Sequence, residues 1–220
     1  MRWYDYMPYV AGLYALLLGC FDWTFQERIL LMSLIVIHLH FFEEFGLPGG
    51  FAWGGIKVEM GKPDLDVTKW PLNQLSSVFG NLWFALSVYL LPLFTQNWHW
   101  TVLAAVIFAF AELIIHLFAF NIGLKSWYNA GLFTAVFGLA PISLTYLLYA
   151  LPKGLYSWID LILAVLWIAF NYWIAFRSPI WRALNQHSKY RFTKNDIQKS
   201  ENYMKKFGDS PENYINMQED

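Results

Sequence analysis

Two stretches of the sequence pair a histidine with carboxylates at helical spacing. In the first, His40 is followed by Glu43 and Glu44, three and four positions later. In the second, Glu112 is followed four positions later by His116. Side chains three or four residues apart share one face of an α-helix, so each stretch presents an imidazole beside a carboxylate. Two such helices facing each other would form the type of metal site that helical bundles enclose.

The predicted metal ligands are His40, Glu44, Glu112 and His116. Nitrogen and oxygen ligands suit a divalent transition metal, for which zinc is favoured and iron is the alternative. Glu112 lies alone among apolar residues, where an ionisable group is costly unless it faces a partner. A hydrogen-bonded network of the same four groups, without metal, remains the alternative interpretation.

Three further residues are predicted to take part in catalysis. In metalloproteases of the His-x-x-Glu-His type, a glutamate between zinc-binding histidines acts as the base. By analogy, Glu43 would deprotonate an attacking water. A hydroxyl or amide donor, from Tyr128 or Asn81, would stabilise the developing oxyanion.

The composition points to a membrane protein as the scaffold for these groups. Of the 220 residues 57% are hydrophobic and 14% charged, whereas soluble domains have about 25% charged residues. The net charge of −1 argues against a basic nucleic-acid-binding domain, and the single cysteine excludes a disulfide framework or thiolate metal cage. Residues 74–176 contain only four charged side chains.

We therefore predict an all-α integral membrane protein built as a six-transmembrane-helix bundle, with a short solvated C-terminal tail. A span needs about 20 apolar residues to cross the bilayer. The predicted spans are residues 6–22, 27–45, 74–94, 99–121, 128–150 and 155–176. Residues 177–220 contain eight Lys/Arg and six Asp/Glu and form the predicted cytoplasmic tail.

The distribution of basic residues predicts the orientation of the bundle. With six spans, thirteen of the fifteen Lys/Arg lie on one side, and only Arg28 and Lys153 lie on the other. Basic residues concentrate in cytoplasmic loops, so both termini are predicted to be cytoplasmic. This orientation places all four predicted ligands in the cytoplasmic half of the bilayer, together with Asn81 and Tyr128.

The long connection at residues 46–73 has two interpretations. Its glycines allow backbone conformations with positive φ, and its tryptophans suit a membrane interface. It is either a flexible linker at the level of the headgroups or a lid, or re-entrant element, over a site.

Three motifs resemble those of the HXXEE-domain membrane proteins. The first is His40-Phe41-Phe42-Glu43-Glu44, followed by Pro48-Gly49-Gly50-Phe51. The second is similar to Tyr-x-Pro-Gly-x-x-Thr and occupies residues 128–134, with Ala130 in place of proline. The third corresponds to Asn-Ala-x-x-His and occupies residues 112–116, where only the histidine is kept and Glu112 adds a negative charge. The resemblance covers residues 30–150 and implies a bacterial or archaeal protein of the cytoplasmic membrane that binds metal.

These patterns favour an enzyme, and the leading hypothesis is an intramembrane metal-dependent hydrolase that acts on a lipid or amphiphilic small molecule. One alternative is a non-haem iron lipid oxidoreductase, although such enzymes generally have more ligands than this chain offers. The other is a non-enzymatic carrier or small-molecule-binding protein in which Glu112 moves protons or ions. The expected partner is in each case a membrane-soluble small molecule, with no role for nucleic acid.

Overall fold

The computed structural model describes residues 2–219, which are predominantly helical and contain no β-strand other than two isolated bridges. Several helices continue beyond a regular α-helical part as π or 3₁₀ turns, and these continuations are given in parentheses. The helices are α1 Met7–Cys20, α2 Phe25–Phe45, α3 Phe51–Gly55 (to Met60), α4 Gln74–Phe84 (to Leu93), α5 His99–Ile114 (to Gly123), α6 Leu132–Thr134 (to Ala150), α7 Trp158–Arg177, α8 Pro179–Asn185, α9 Lys194–Gln198 and α10 Glu201–Met204.

Five helical segments are long and apolar enough to cross a membrane. They are Phe25–Phe45, Val67–Leu93, His99–Gly123, Leu132–Ala150 and Trp158–Asn185. The all-helical architecture predicted from the sequence is thus confirmed, and the five apolar helices agree with the predicted membrane protein. The sixth span stays a prediction, because α1 has 14 residues, about 21 Å of helix against a hydrocarbon core of about 30 Å.

Side-chain caps fix where three of the candidate spanning helices begin, namely α2, α4 and α7. The hydroxyl of Thr24 accepts a hydrogen bond from the backbone of Glu27, whose carboxylate accepts one from the backbone of Thr24. Ser157 and Asp160 form the same reciprocal pair at the start of α7. Asn73 caps α4 through the backbone N–H of Ser76. Each cap satisfies donors that a helix leaves without intrahelical partners, which matters most at a membrane boundary.

Helix α2 lies at the centre of the bundle. It packs against α1, the second half of α4 and α6, and its residues Leu30, Leu31, Leu34 and Ile37 are fully buried. Helix α5 packs against α6 and α7. The stripes that carry the two histidine–carboxylate pairs therefore belong to helices of one packed core.

The C-terminal segment differs from the solvated tail that was predicted. Phe192, Ile197 and Met204 are fully buried in the main hydrophobic core. Its backbone pairs with the 46–73 connection, where Ile215 N donates to Leu65 O over 2.9 Å. The predicted solvated tail is therefore not confirmed: these apolar residues are spaced among charges, so that the average composition resembles a solvated chain.

A buried carboxylate joins this segment to both the N-terminus and α4. The Asp196 carboxylate accepts a hydrogen bond from the hydroxyl of Thr193, the N-cap of α9. It also accepts hydrogen bonds from the Tyr4 hydroxyl and from the Gln74 amide, the latter at 2.7 Å. Arg2 forms an ion pair with the same carboxylate at 3.2 Å. The N-terminus therefore lies at the same end of the bundle as residues 177–219.

The 46–73 connection is an ordered cover rather than a flexible linker. Most of α3 is buried, and the ring of Phe51 stacks on Phe120 with centroids 5.3 Å apart. The hydroxyl of Ser200 donates to Gly50 O over 2.9 Å, and the indole of Trp53 donates to the Tyr214 hydroxyl over 2.7 Å. The C-terminal segment therefore holds α3 against the end of the bundle.

Candidate metal centre

The four predicted metal ligands meet between α2 and α5. The Nε2 atom of His40 lies 3.6 Å from a Glu44 oxygen and 3.8 Å from a Glu112 oxygen. The Nε2 atom of His116 lies 3.5 Å and 3.6 Å from the same two oxygens. Each imidazole therefore faces both carboxylates, and the two rings are perpendicular with centroids 4.8 Å apart.

These separations are longer than hydrogen bonds and suit atoms that share a cation. Hydrogen bonds of this type span about 2.7–3.2 Å. Two ligands of a tetrahedral ion, each about 2.0–2.1 Å from it, lie about 3.4 Å apart. The ligand atoms of His40, Glu44 and His116 all lie within 4.8 Å of one another, so these buried residues could hold a metal ion. Glu112 adds a fourth ligand atom, a carboxylate oxygen, from the less buried side.

Hydrogen bonds from Asn129 orient the His116 ring. The Asn129 amide nitrogen donates to His116 O over 2.8 Å and to the Asn121 side-chain oxygen over 2.7 Å. Its oxygen therefore faces His116 Nδ1, 2.6 Å away, and accepts the proton there. The neutral imidazole consequently presents the lone pair of Nε2 to the carboxylates, as a metal ligand must.

A second chain of hydrogen bonds orients the His40 ring. His40 Nδ1 lies 2.8 Å from the Thr134 hydroxyl, and this hydroxyl donates to Glu43 over 2.6 Å. Because the hydroxyl proton is directed to Glu43, the Thr134 oxygen accepts from Nδ1–H. His40 Nε2 then also carries a lone pair toward the cluster.

Glu43 belongs to this supporting layer rather than to the cluster itself. Its carboxylate accepts four hydrogen bonds, from the Thr134 hydroxyl, the backbone N–H groups of Thr134 and Phe133, and the Tyr128 hydroxyl. Burial and the bond to Glu43 raise the pKa of Tyr128. These contacts favour a positioning role for Glu43 over the predicted role as base. They also direct Tyr128 to Glu43 rather than to an oxyanion.

The turn before α6 requires glycine at position 131. Gly131 has φ of +102°, and a Cβ atom there would lie 2.3 Å from Cε1 of His116. A side chain would therefore be strained in the backbone and would also displace the imidazole. The glycine lets this turn carry both Asn129 and Thr134 to the backs of the two histidine rings.

A cavity of about 100 Å³ opens beside the four ligands. Its walls come from α2, α3, α4, α5 and α7 and include seven Phe and Tyr side chains. Asn81 lines it, with one amide N–H donated to Ser77 O over 3.0 Å. Glu59, in the continuation of α3, lines its outer part. The Glu59 side chain is exposed there, yet the protein atoms packed around its carboxyl raise its pKa.

The charges around the cavity are unbalanced without a cation. Glu44, Glu59 and Glu112 line it, and no lysine or arginine does so among the described residues. Carboxylates that leave water need a counter-charge, a hydrogen-bond donor or a proton. A divalent cation between the two ligand carboxylates would supply that charge.

Three residues with roles at the site were not among the sequence-based candidates. Asn129 and Thr134 lie within the 128–134 stretch, so the resemblance of that stretch to a family motif was the available signal. Glu59 lies in the 46–73 connection, which contains both acidic and basic residues. Its spacing from these residues did not mark it as a site residue. Only the fold brings it to the cavity.

Comparison with known proteins agrees with these motifs. A family model described as "Protein of unknown function with HXXEE motif" matches residues 31–146, which include His40, Glu44, Glu112, His116 and Asn129. No curated protein and no solved structure shows significant similarity to the chain.

Proposed function

This chain belongs to the family of proteins with the HXXEE motif, and we propose that it is an intramembrane metal-dependent hydrolase that acts on a lipid or amphiphilic substrate. The metal ligands in this proposal are His40, Glu44, Glu112 and His116, and zinc is the favoured ion.

The convergence of four ligand atoms is the observation that carries the proposal. Each of the two Nε2 atoms lies 3.5–3.8 Å from one oxygen of Glu44 and one oxygen of Glu112, beyond hydrogen-bonding distance. Both Nδ1 atoms are engaged on the far side of the rings. A structural hydrogen-bonded network would be expected to bring these atoms closer together, so the geometry favours a metal site.

The cavity gives the site room for chemistry. A bound divalent ion supplies Lewis acidity and lowers the pKa of water at the site. We assign the proton-accepting role to Glu59, because this carboxylate lines the same cavity and its oxygens have no part in the ligand set. The pKa of Glu59 is raised by the burial of its carboxyl, which is the direction that a proton acceptor requires. Asn81 has a second amide N–H with which to stabilise a substrate oxygen.

The setting of the cavity supports a membrane-soluble substrate. Its walls include Phe84, Phe108 and Phe176 from three of the segments long enough to span a membrane. A space of about 100 Å³ accepts a reacting group, while a longer apolar chain would extend outward between helices. We assign this end of the bundle to the cytoplasmic side from the distribution of Lys and Arg.

Metal analysis of the purified protein tests the site. Protein purified in detergent without chelator should contain about one zinc ion per chain, and a His40→Ala and His116→Ala double variant should lose it. His38→Ala is the matched control, because His38 is buried in the same helix but binds Leu34 O and packs against Tyr14. Metal-free wild-type protein would overturn the proposal. Iron in place of zinc would instead favour an oxidoreductase.

Product analysis tests the hydrolase assignment. The zinc-loaded protein should release fatty acids or headgroups from a mixed lipid extract, measured by mass spectrometry. Glu59→Gln should keep the metal and lose this activity by a factor of about 10²–10⁴, the usual contribution of a general base. Release at the same rate from wild type and the His40/His116 double variant would contradict the assignment.

A further inference from the structure

Two lysines from separate parts of the chain lie against one aromatic ring, and a third lysine contacts one of them. The ammonium of Lys57 lies 4.6 Å from the centroid of the Phe207 ring, and that of Lys125 lies 4.9 Å from it. The ammonium of Lys206 donates to the backbone oxygen of Lys125 over 3.0 Å. We call Lys57, Lys125 and Lys206 the lysine patch.

The lysine patch has no acidic partner in the described part of the chain. None of its ammonium groups lies within ion-pairing distance of a carboxylate there. The neighbouring acids are engaged elsewhere, since Glu201 pairs with Lys205 at 2.8 Å and Asp209 accepts from Tyr214 over 2.7 Å. Cation–π contacts offset only part of the repulsion between like charges. An anion bound across the patch would offset the rest.

An exposed apolar groove begins at Lys125, one member of the lysine patch. The groove has a volume of about 610 Å³ and includes Lys125. Its apolar walls are Leu117, Phe118, Ile122 and Trp127, all of them exposed, with Trp127 97% exposed. It lies at the end of the segment His99–Gly123, where a tryptophan beside basic residues is typical of the membrane interface.

We propose that the lysine patch and this groove form a binding site for an anionic phospholipid. The lysine ammonium groups bind the phosphate of the headgroup, and the acyl chains lie along Leu117, Phe118 and Ile122. Charge complementarity supports this occupant, because a cationic patch that continues into an apolar surface matches a molecule with an anionic head and apolar tails. The site shares no residue with the metal centre.

Fluorescence quenching in nanodiscs tests this site. Trp127 is the local reporter, and the difference between wild type and Trp127→Phe separates its signal from the other eleven of the chain's 12 tryptophans. The probes are phosphatidylglycerol and phosphatidylcholine with brominated acyl chains, each diluted into the same unlabelled bilayer. We expect phosphatidylglycerol to quench Trp127 at about fivefold lower mole fraction, roughly the factor that one lysine near an anionic surface contributes.

Substitutions decide whether the patch is responsible. Lys57→Gln, Lys125→Gln and Lys206→Gln together should abolish the preference for phosphatidylglycerol. The control removes the same charge from three exposed lysines elsewhere, by Lys69→Gln, Lys189→Gln and Lys194→Gln, and should keep the preference. Equal quenching by both lipids in wild type, or loss of preference in the control, would overturn the proposal. So would displacement of the lipid by millimolar inorganic phosphate, which would indicate a site for the free anion.

Discussion

The orientation of the two histidines explains why this cluster differs from an ordinary set of buried polar residues. A ligand imidazole must present one nitrogen with a lone pair, and its other nitrogen usually donates to a fixed acceptor. Here the acceptors are the Asn129 oxygen and the Thr134 hydroxyl, and both lie on the turn around Gly131. One short stretch of chain therefore prepares both rings before any ion arrives.

Gly131→Ala should destabilise the protein and remove the metal. A Cβ at a φ of +102° costs about 1–2 kcal/mol, and displacement of the His116 ring adds to that cost. Gly208→Ala is the control, because Gly208 is also in the left-handed region, with φ of +67°, and has no atom within 4 Å of the added Cβ. We expect Gly208→Ala to show only the backbone cost in thermal unfolding and to keep its zinc. Equal effects of the two substitutions would contradict the close packing of Gly131 on His116.

Asn129→Ala should weaken metal binding while the bundle stays folded. Removal of a group that orients a ligand histidine typically lowers metal affinity 10–100-fold. Asn171→Ala is the control, because Asn171 is also buried and bonds Trp83 and Trp167 within the bundle. Competition with a zinc chelator would measure both affinities. A similar loss in the two variants would indicate a general packing effect.

Glu43→Gln separates the positioning role of Glu43 from the role of base. An amide cannot accept all the hydrogen bonds that the carboxylate accepts from Thr134 and Phe133, so the Thr134–His40 contact should loosen. We expect a 10–100-fold lower zinc affinity. Glu27→Gln, the same change in a capping residue of α2, should leave zinc affinity unchanged. Unchanged zinc affinity in Glu43→Gln, together with lost hydrolysis, would restore Glu43 as the base.

At the scale of the elements, local sequence signals were sufficient to predict the spanning helices. They were insufficient to predict how α3 and the C-terminal segment pack on the end of the bundle. Apolar length and caps such as Ser157–Asp160 depend on neighbouring residues, so the sequence displays them directly. The i,i+4 spacing likewise predicted that Glu112 and His116 share a face. By contrast, α3 is fixed by Ser200, 150 positions from Gly50, and by Tyr214. Contacts over such separations leave no periodic pattern, so the sequence left the cover as one of two interpretations and did not predict the buried C-terminal segment.

Substitution of Phe192 measures how much the C-terminal segment contributes to the stability of the protein. Phe192 is fully buried and stacks on Phe45, next to the HXXEE motif. Phe192→Ala should lower the free energy of unfolding by about 3–5 kcal/mol and increase hydrogen exchange in α3. Tyr190→Ala, two residues away where the ring is 37% exposed, should change both much less. Unchanged exchange in α3 with Phe192→Ala would show that the segment does not hold the cover in place.

For the whole molecule, the basic residues and the candidate site lie at the same end of the bundle. Arg2 meets Asp196, and Lys125 meets Lys206, so the N-terminus, the α5–α6 connection and the C-terminal segment are joined there. The sequence-based orientation rests on the same grouping of charge. Because Arg2 lies at this end and Cys20 is the last residue of α1, residue 20 belongs at the opposite end.

Cysteine labelling tests this orientation with the chain's single native thiol. Cys20 is exposed and is the last residue of α1, the helix whose span is still a prediction. In intact cells, a membrane-impermeant maleimide should label Cys20 from outside. In a Cys20→Ser background, Lys194→Cys should be labelled only after the membrane is permeabilised, because basic segments concentrate in the cytoplasm. Labelling of residue 194 in intact cells would invert the topology. Labelling of both residues from the same side would mean that α1 does not cross the bilayer.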